Sequence, residues 1–399
     1  MSTDMFHTLD EADVGGKRVL VRVDLNVPVE NGKVADTTRI ERVAPTIREI
    51  ADKGGKVILL SHFGRPKGPD PAQSLKLLTP AIAAVLKRPV AFAEDCIGER
   101  ASAAVKAMKP GDILCLENTR FHPGEERNDP GFVAELAALG DIFVNDAFSV
   151  AHRPHASVEG IGHRLPTYAG RTMQDELEAL TKVLQTPIRP LAAIVGGAKV
   201  STKLGLLGNL LAKVDTLVIG GGMANTFLAA RGYSVGKSLC ERDLLPTARD
   251  IMAKAKAKGR ELVLPVDVVV AKRFAANAPS RVVAVDGVGR DEMILDIGPR
   301  SIERVCSVLA RVKTLVWNGP FGAFELEPFD IGTVEVAEAA AELTAAGKIV
   351  TVAGGGDTVA ALNAAGATAR FTYVSTAGGA FLEWLEGKPL PGVEVLKVG

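Results

Sequence analysis

The chain has 399 residues, 47% of them hydrophobic, with Lys plus Arg and Asp plus Glu both at 47. That is enough chain for two or three domains with substantial cores, and a formal net charge of zero argues against bulk nucleic-acid binding or attraction to a membrane surface. Cys96, Cys115, Cys240 and Cys306 are scattered through apolar surroundings, which fits reduced core thiols in a cytoplasmic protein rather than a disulfide framework or a zinc site. The N-terminal Met-Ser-Thr-Asp-Met-Phe-His has neither a basic stretch nor an apolar run, and no segment approaches membrane-spanning length, so no export or anchoring signal is expected.

From Lys17 onward, short β-branched runs alternate with longer helical stretches, the rhythm of parallel βαβ units. Strands are predicted at 17–23, 56–60, 90–94, 112–116 and 141–145, with helices at 37–52, 78–87, 98–108 and 130–139. The rhythm breaks near 172–190, where a helix beginning Thr172-Met173-Gln174 runs toward the stiff Thr186-Pro187-Ile188-Arg189-Pro190. It then restarts, with strands near 191–195, 216–219, 262–264, 281–285, 314–317 and 348–352 and helices near 199–212, 222–231, 243–258, 301–312 and 333–346. The predicted fold class is α/β: two doubly wound parallel-sheet, Rossmann-like domains joined by a helical hinge.

The two halves differ in chemistry. All six histidines precede residue 164, in company with the arginine-bearing motifs, whereas the multi-glycine runs follow it. In the first half, Val21-Arg22-Val23-Asp24-Leu25-Asn26-Val27-Pro28 puts a carboxylate and an amide just past the end of the first strand, where open parallel sheets bind ligands. Asp24 and Asn26 suit either a substrate hydroxyl or a local Asx turn. Arg39 opens the next helix, Ser61-His62-Phe63-Gly64-Arg65-Pro66 follows the second strand, Glu117-Asn118-Thr119-Arg120-Phe121-His122 the fourth, and Ala151-His152-Arg153-Pro154-His155 comes soon after the fifth. A single arginine reads as a surface ion pair, but four at one sheet edge repel one another and need an anion to compensate them. Nothing in the sequence pairs His62 or His122 with a carboxylate, so both read as donors or spacers.

In the second half, Lys348 to Ala353 runs into Gly354-Gly355-Gly356-Asp357-Thr358 and a helix start. Bare N–H groups and the positive end of a helix would seat an anion there, and Asp357 would reach a nucleotide phosphate through a divalent cation. The same run also reads as a tight reversal in which Asp357 caps the helix. Ile194-Val195-Gly196-Gly197-Ala198-Lys199-Val200-Ser201-Thr202-Lys203 repeats the pattern, with Lys199 and Lys203 expected on one helix face. Gly220-Gly221-Gly222 adds a third glycine turn, and Trp317-Asn318-Gly319-Pro320-Phe321-Gly322-Ala323-Phe324-Glu325 a loop holding Asn318 and Glu325. Gly232-Tyr233-Ser234-Val235-Gly236-Lys237-Ser238 imitates a phosphate-binding loop, but its glycines are too close together and it follows a helix. No Gly-x-Gly-x-x-Gly follows a predicted strand, which weakens a nicotinamide dehydrogenase reading.

Taken together, these motifs resemble phosphoglycerate kinase over essentially the whole length, through to Leu382-Glu383-Trp384-Leu385-Glu386-Gly387-Lys388. The resemblance implies reversible, magnesium-dependent phosphoryl transfer between 1,3-bisphosphoglycerate and ADP, giving 3-phosphoglycerate and ATP in glycolysis. It implies that Asp24, Asn26, Arg39, His62, Arg65, Arg120 and Arg153 hold the phosphoglycerate. Lys203, Asn318, Glu325, Gly355, Gly356, Asp357 and Thr358 would hold the nucleotide, with Asp357 on the magnesium ion and Arg39, Lys199 and Gly356 at the transferring group. The implied domains are 1–172 for phosphoglycerate, with 380–399 packing back on it, 173–190 as hinge helix and linker, and 191–379 for nucleotide. A cytoplasmic monomer with no nucleic-acid or membrane partner is expected.

The chemistry agrees with the resemblance. An acyl phosphate has a weakly basic leaving group, so transfer asks for alignment, charge neutralisation and exclusion of water, supplied by hinge closure, rather than an acid–base pair. Three departures from the family pattern stand out: Ala377 in Ser375-Thr376-Ala377-Gly378-Gly379, Phe148-Ser149-Val150-Ala151 and His163-Arg164. None is expected to touch a site residue. The alternatives are a non-catalytic nucleotide or phosphoglycerate sensor on the same fold and a different small-molecule kinase on a similar frame.

Overall fold

The computed structural model describes residues 5–398. The chain forms two compact units, Met1–Glu178 with Pro389–Gly399, and Ala179–Lys388. The return to the first unit therefore starts at Pro389, not near 380, and the boundary falls inside the helix Arg171–Leu184.

Each unit is built on a six-stranded parallel sheet. In the first, the spatial order is Ala91–Ala93, Ile113–Leu116, Lys56–Leu60, Arg18–Arg22, Ile142–Asn145, Thr167–Ala169. The first strand in sequence lies between Lys56–Leu60 and Ile142–Asn145, so the order reverses there and opens a crevice beyond its carboxyl end. Its residues Val19, Leu20 and Val21 are fully buried, as strands covered by helices on both faces must be. Arg22 pairs in register with Leu60 on one side and Asn145 on the other, so the segments after all three strands leave along one edge. The helix Thr38–Asp52 covers one face by burying Ile40, Val43, Ile47 and Ile50, a spacing of three to four residues.

The second unit repeats the plan in the order Glu261–Val263, Thr216–Ile219, Leu191–Val195, Thr314–Asn318, Val350–Gly354, Tyr373–Ser375. Again the first strand of the unit sits at the reversal, between Thr216–Ile219 and Thr314–Asn318. The strand predicted at 281–285 does not join this sheet. It lies at Ser280–Ala284 in a separate antiparallel sheet with Asp267–Ala271 and Met293–Ile297. Among the described residues, no helix is long and apolar enough to cross a membrane.

Candidate active site

In the first unit the segments leaving the sheet edge gather charge around a buried pair. Arg22, only 1% exposed, donates its Nε to Ser157 Oγ (2.9 Å), one terminal nitrogen to the Val23 carbonyl (2.5 Å) and the other to His62 Nδ1 (3.0 Å). A guanidinium only donates, so Nδ1 of His62 must be the accepting nitrogen and the ring proton sits on Nε2. Burial first, then the charges of Arg22, Arg120, His155 and Arg39, push the His62 pKa far down, so the ring is neutral. Ser157 in turn donates to the buried carboxylate of Glu125 through its hydroxyl (2.6 Å) and its N–H (2.8 Å). Arg22 thus carries a charge matched across one hydroxyl.

Asp24 is braced from three sides. It accepts Arg39 (3.1 and 3.2 Å), the Asn26 N–H (3.0 Å) and the Ser149 hydroxyl (2.7 Å), so the Asx turn and the ion pair coexist. Arg39 also donates to the Asn26 carbonyl (2.9 Å), while the Asn26 side-chain oxygen holds the Gly64 N–H (2.9 Å). Arg120 donates to the Gly64 carbonyl (3.0 Å), and its pKa is lowered by burial and by the charges of Arg153 and Arg65, with Glu126 and Glu125 opposing. Arg22, Arg39 and Arg120 act on His62, and Arg65 and Arg153 act on Arg120, so the five arginines form a linked electrostatic neighbourhood. Among the described residues, the side chains of Arg65 and Arg153 make no hydrogen bond or ion pair.

Two expectations fail here. His122 does meet a carboxylate: its Nε2 lies 2.7 Å from Asp95 Oδ1, and its ring stacks on Phe132. Ser149, in a departure expected to touch no site residue, is bonded to Asp24. Neither contact spans neighbouring residues, since Asp95 follows a different strand and Ser149 is 125 positions from Asp24.

In the second unit the glycine turns pack backbone against backbone. A Cβ at Gly196 would lie 2.0 Å from the Pro320 carbonyl oxygen, and one at Gly221 would lie 2.5 Å from that of Gly197. Glycine is required at these places by the three turns themselves. Gly355, at φ 100°, has a further reason: its Cβ would strike the Asn318 amide at 2.6 Å. That amide is engaged on both ends, donating to the Gly354 carbonyl (2.8 Å) and accepting the ammonium of Lys203. Thr358 Oγ1 accepts the Gly319 N–H (2.7 Å). Burial lowers the Lys203 pKa, while the charges of Asp357 and Glu386 oppose it, so the lysine faces Asp357 across the turn.

Lys199 and Lys203 do not share a helix face. Lys199 is extended and exposed, a short 3₁₀ turn intervenes at Val200–Thr202, and the helix begins only after Lys203. Asp357 occupies the first turn of Gly356–Ala364, exposed, and beside it lies a cavity of about 510 Å³. Asp357 and Glu325 line that cavity together with Gly222, Leu239, Phe274 and Phe321. Leu239 and Phe274 are 50% and 61% exposed, large apolar surface with nothing over it. The strand Met293–Ile297 of the antiparallel sheet supplies another wall. The phosphate-loop imitation at 232–238 serves that sheet: the Lys237 N–H goes to the Glu292 carbonyl and Ser238 Oγ accepts the Ile294 N–H.

The sequence model of phosphoglycerate kinase matches residues 9–388. The chain belongs to the phosphoglycerate kinase family. It is 67% identical over 393 residues to the phosphoglycerate kinase of Bradyrhizobium diazoefficiens, covering 98% of this chain and 99% of that one. The phosphoglycerate kinase of Rhodopseudomonas palustris is likewise 67% identical, over 396 residues, with 99% and 100% covered. The structure of phosphoglycerate kinase from Coxiella burnetii superposes with a TM-score of 0.92 at 43% identity, covering 98% of each chain. The activity is that of the family, phosphoryl transfer with a carboxyl group as acceptor, and a sensor without catalysis finds no support. At the Ala377 departure the positive φ falls on the next residue, Gly378, at 53°.

Proposed function

We propose that the arginine-rich edge of the first unit holds 3-phosphoglycerate or 1,3-bisphosphoglycerate and that the cavity of the second holds ADP or ATP. The observation that carries this is the gathering of Arg22, Arg39 and Arg120 about a neutral histidine, with Arg65 and Arg153 acting on Arg120 in turn, an arrangement whose repulsion is relieved by a multiply charged anion. Arg65, Arg120 and Arg153 suit the phosphate and carboxylate, and the Nε2–H of His62 is a donor that stays fixed across physiological pH. Asp24, with Asn26, receives the substrate hydroxyl.

The nucleobase covers the exposed faces of Leu239 and Phe274, the ribose meets Glu325, and the phosphates run toward Lys203, Gly355, Gly356 and Thr358. Gly356 supports this run: a Cβ there would meet nothing within 4 Å, so the fold itself does not demand glycine. Asp357 is exposed and accepts no hydrogen bond among the described residues, and one carboxylate completed by phosphate oxygens is the donor set that suits Mg²⁺. When bound, the ion would neutralise phosphate charge. Asn318 positions Lys203 rather than touching nucleotide.

Transfer asks the chain to align donor and acceptor oxygens, to neutralise equatorial charge with Arg39 and Lys199, and to keep water out. Closure of the units about the helix Arg171–Leu184 supplies the last condition. We further infer a cytoplasmic monomer, in keeping with four free cysteines. The test is ATP-dependent phosphorylation of 3-phosphoglycerate coupled to a dehydrogenase, with magnesium present and then chelated. Turnover abolished by chelation is expected; turnover indifferent to it would overturn the magnesium assignment.

A further inference from the structure

Beside the phosphoglycerate edge, and taking no part in the assignments above, three side chains of different chemistry converge. Asp95 and Cys96 follow the strand Ala91–Ala93 and precede the helix Gly98–Lys106, and His122 follows the turn after the neighbouring strand Ile113–Leu116. A carboxylate oxygen, the Cys96 sulfur and a ring nitrogen of His122 all lie within 4.8 Å of one another. This is the one such group of three among the described residues. Cys96 is fully buried at its floor, whereas the Asp95 and His122 side chains are 37% and 31% exposed and form its mouth.

We propose that Asp95, Cys96 and His122 form a binding site for a thiophilic divalent cation of the zinc class. One thiolate, one imidazole and one carboxylate are a donor set for zinc or cobalt and a poor one for magnesium, which takes oxygen ligands. Bonds of the usual length arranged tetrahedrally would set the ligand atoms about 3.3–3.8 Å apart, within the spread observed. The contact of 2.7 Å between His122 Nε2 and Asp95 Oδ1 has to open, and the carboxylate offers a way. Oδ1 is held by the Cys96 N–H (2.7 Å), while Oδ2 accepts no hydrogen bond among the described residues and is free to ligate.

The electrostatics favour a cation. The carboxylates of Asp95, Glu125 and Glu117 all act on Cys96, so the site lies in a negative field. Binding then exchanges charge evenly. The thiol proton leaves to solvent, the His122 ring proton moves from Nε2 to Nδ1, and the dication is matched by one thiolate and one carboxylate. One proton is released per ion, and the fourth tetrahedral position is left to water. The scatter of the cysteines argued against a zinc site in the sequence, but a site with a single sulfur has no spacing to read.

The test uses cobalt(II) as the probe on the full-length protein, without nucleotide and with magnesium in excess to hold the hard-oxygen sites. The expected result is one equivalent of cobalt bound, with a thiolate-to-cobalt charge-transfer band in the near ultraviolet and one proton released in weakly buffered solution. Cys96→Ser and His122→Gln should each abolish the band, and Cys240→Ser should keep it. Should Cys96→Ser fail to fold, His122→Gln, on a part-exposed side chain, answers the same question. A wild-type protein without the band, or a band that survives either substitution, overturns the site.

Discussion

The guanidinium of Arg22 donates to Nδ1 of His62 at 3.0 Å, and through that one contact a buried arginine decides which face of the imidazole carries its proton. Arg22→Lys would keep a charge but lose the fork that spans Ser157, the Val23 carbonyl and His62. The KM for 3-phosphoglycerate should rise about 10-fold with a smaller change in kcat, and urea unfolding should show a loss of about 2–4 kcal/mol, because buried acceptors that the fork satisfied are left unpaired. An unchanged KM would mean that the His62 proton is fixed by something else.

The pH dependence of stability has two opposing parts. His62 titrates far below its ordinary 6.5 in the folded protein, so below that pH the unfolded chain takes up the proton that the folded one refuses, and stability falls on acidification. Asp146, buried where its Oδ1 accepts the Met173 N–H (3.0 Å) at the start of the boundary helix, is raised from 3.8 to about 7. Between those values the folded chain binds the extra proton, so its contribution grows as pH falls. Asp146→Asn removes this offset. Urea midpoints from pH 7 to 4 should drop more steeply in the variant, by about 1.4 kcal/mol per pH unit.

Adjacent glycines should fail in different ways. Gly355→Ala forces a methyl onto the Asn318 amide at a positive φ, and should cost about 1–3 kcal/mol while releasing Lys203. Gly356→Ala meets no protein atom, so its thermal midpoint should match the wild type while kcat falls about 10-fold or more as the methyl crowds the phosphates. Calorimetry and steady-state kinetics on the pair separate scaffold from site.

Ser149 lies in one of the departures from the family pattern, Phe148-Ser149-Val150-Ala151. Ser149→Gly removes the 2.7 Å bond to Asp24 and leaves Arg39 and Asn26 as its remaining partners. The KM for 3-phosphoglycerate should rise about 3-fold to 10-fold, in line with one hydrogen bond to a charged group at a partly exposed site, with the ATP KM unchanged.

Both parallel sheets were legible because their strands are short β-branched runs bounded by glycine and separated by amphipathic helices. The edge strands Thr167–Ala169 and Tyr373–Ser375 were not, since three residues are too few to show a period. The antiparallel sheet escaped for another reason: Ser280–Ala284 is largely exposed, and the central strand shifts register between Val269 and Val270, so alternation is lost. Residues such as Arg120 and Asp357 announce themselves by motif, each following a strand end. Residues that act through space were missed. Arg22 looked like one more strand residue, the bond from Lys203 to Asn318 joins residues 115 positions apart, and the meeting of His122 with Asp95 depends on two strands being neighbours in the sheet.

The first unit is closed by a segment that follows the second unit in sequence. Leu390, Val393 and Leu396 are buried, the Gly392 carbonyl accepts Asn145 Nδ2 (3.1 Å), and the Leu396 carbonyl accepts the His7 N–H (2.8 Å). On the ribosome, then, the half that emerges first is the half that finishes last. The intervening segment of some two hundred residues can collapse on its own while the earlier one waits, its Asn145 edge unsealed, until residues 390–396 have been made and emerge.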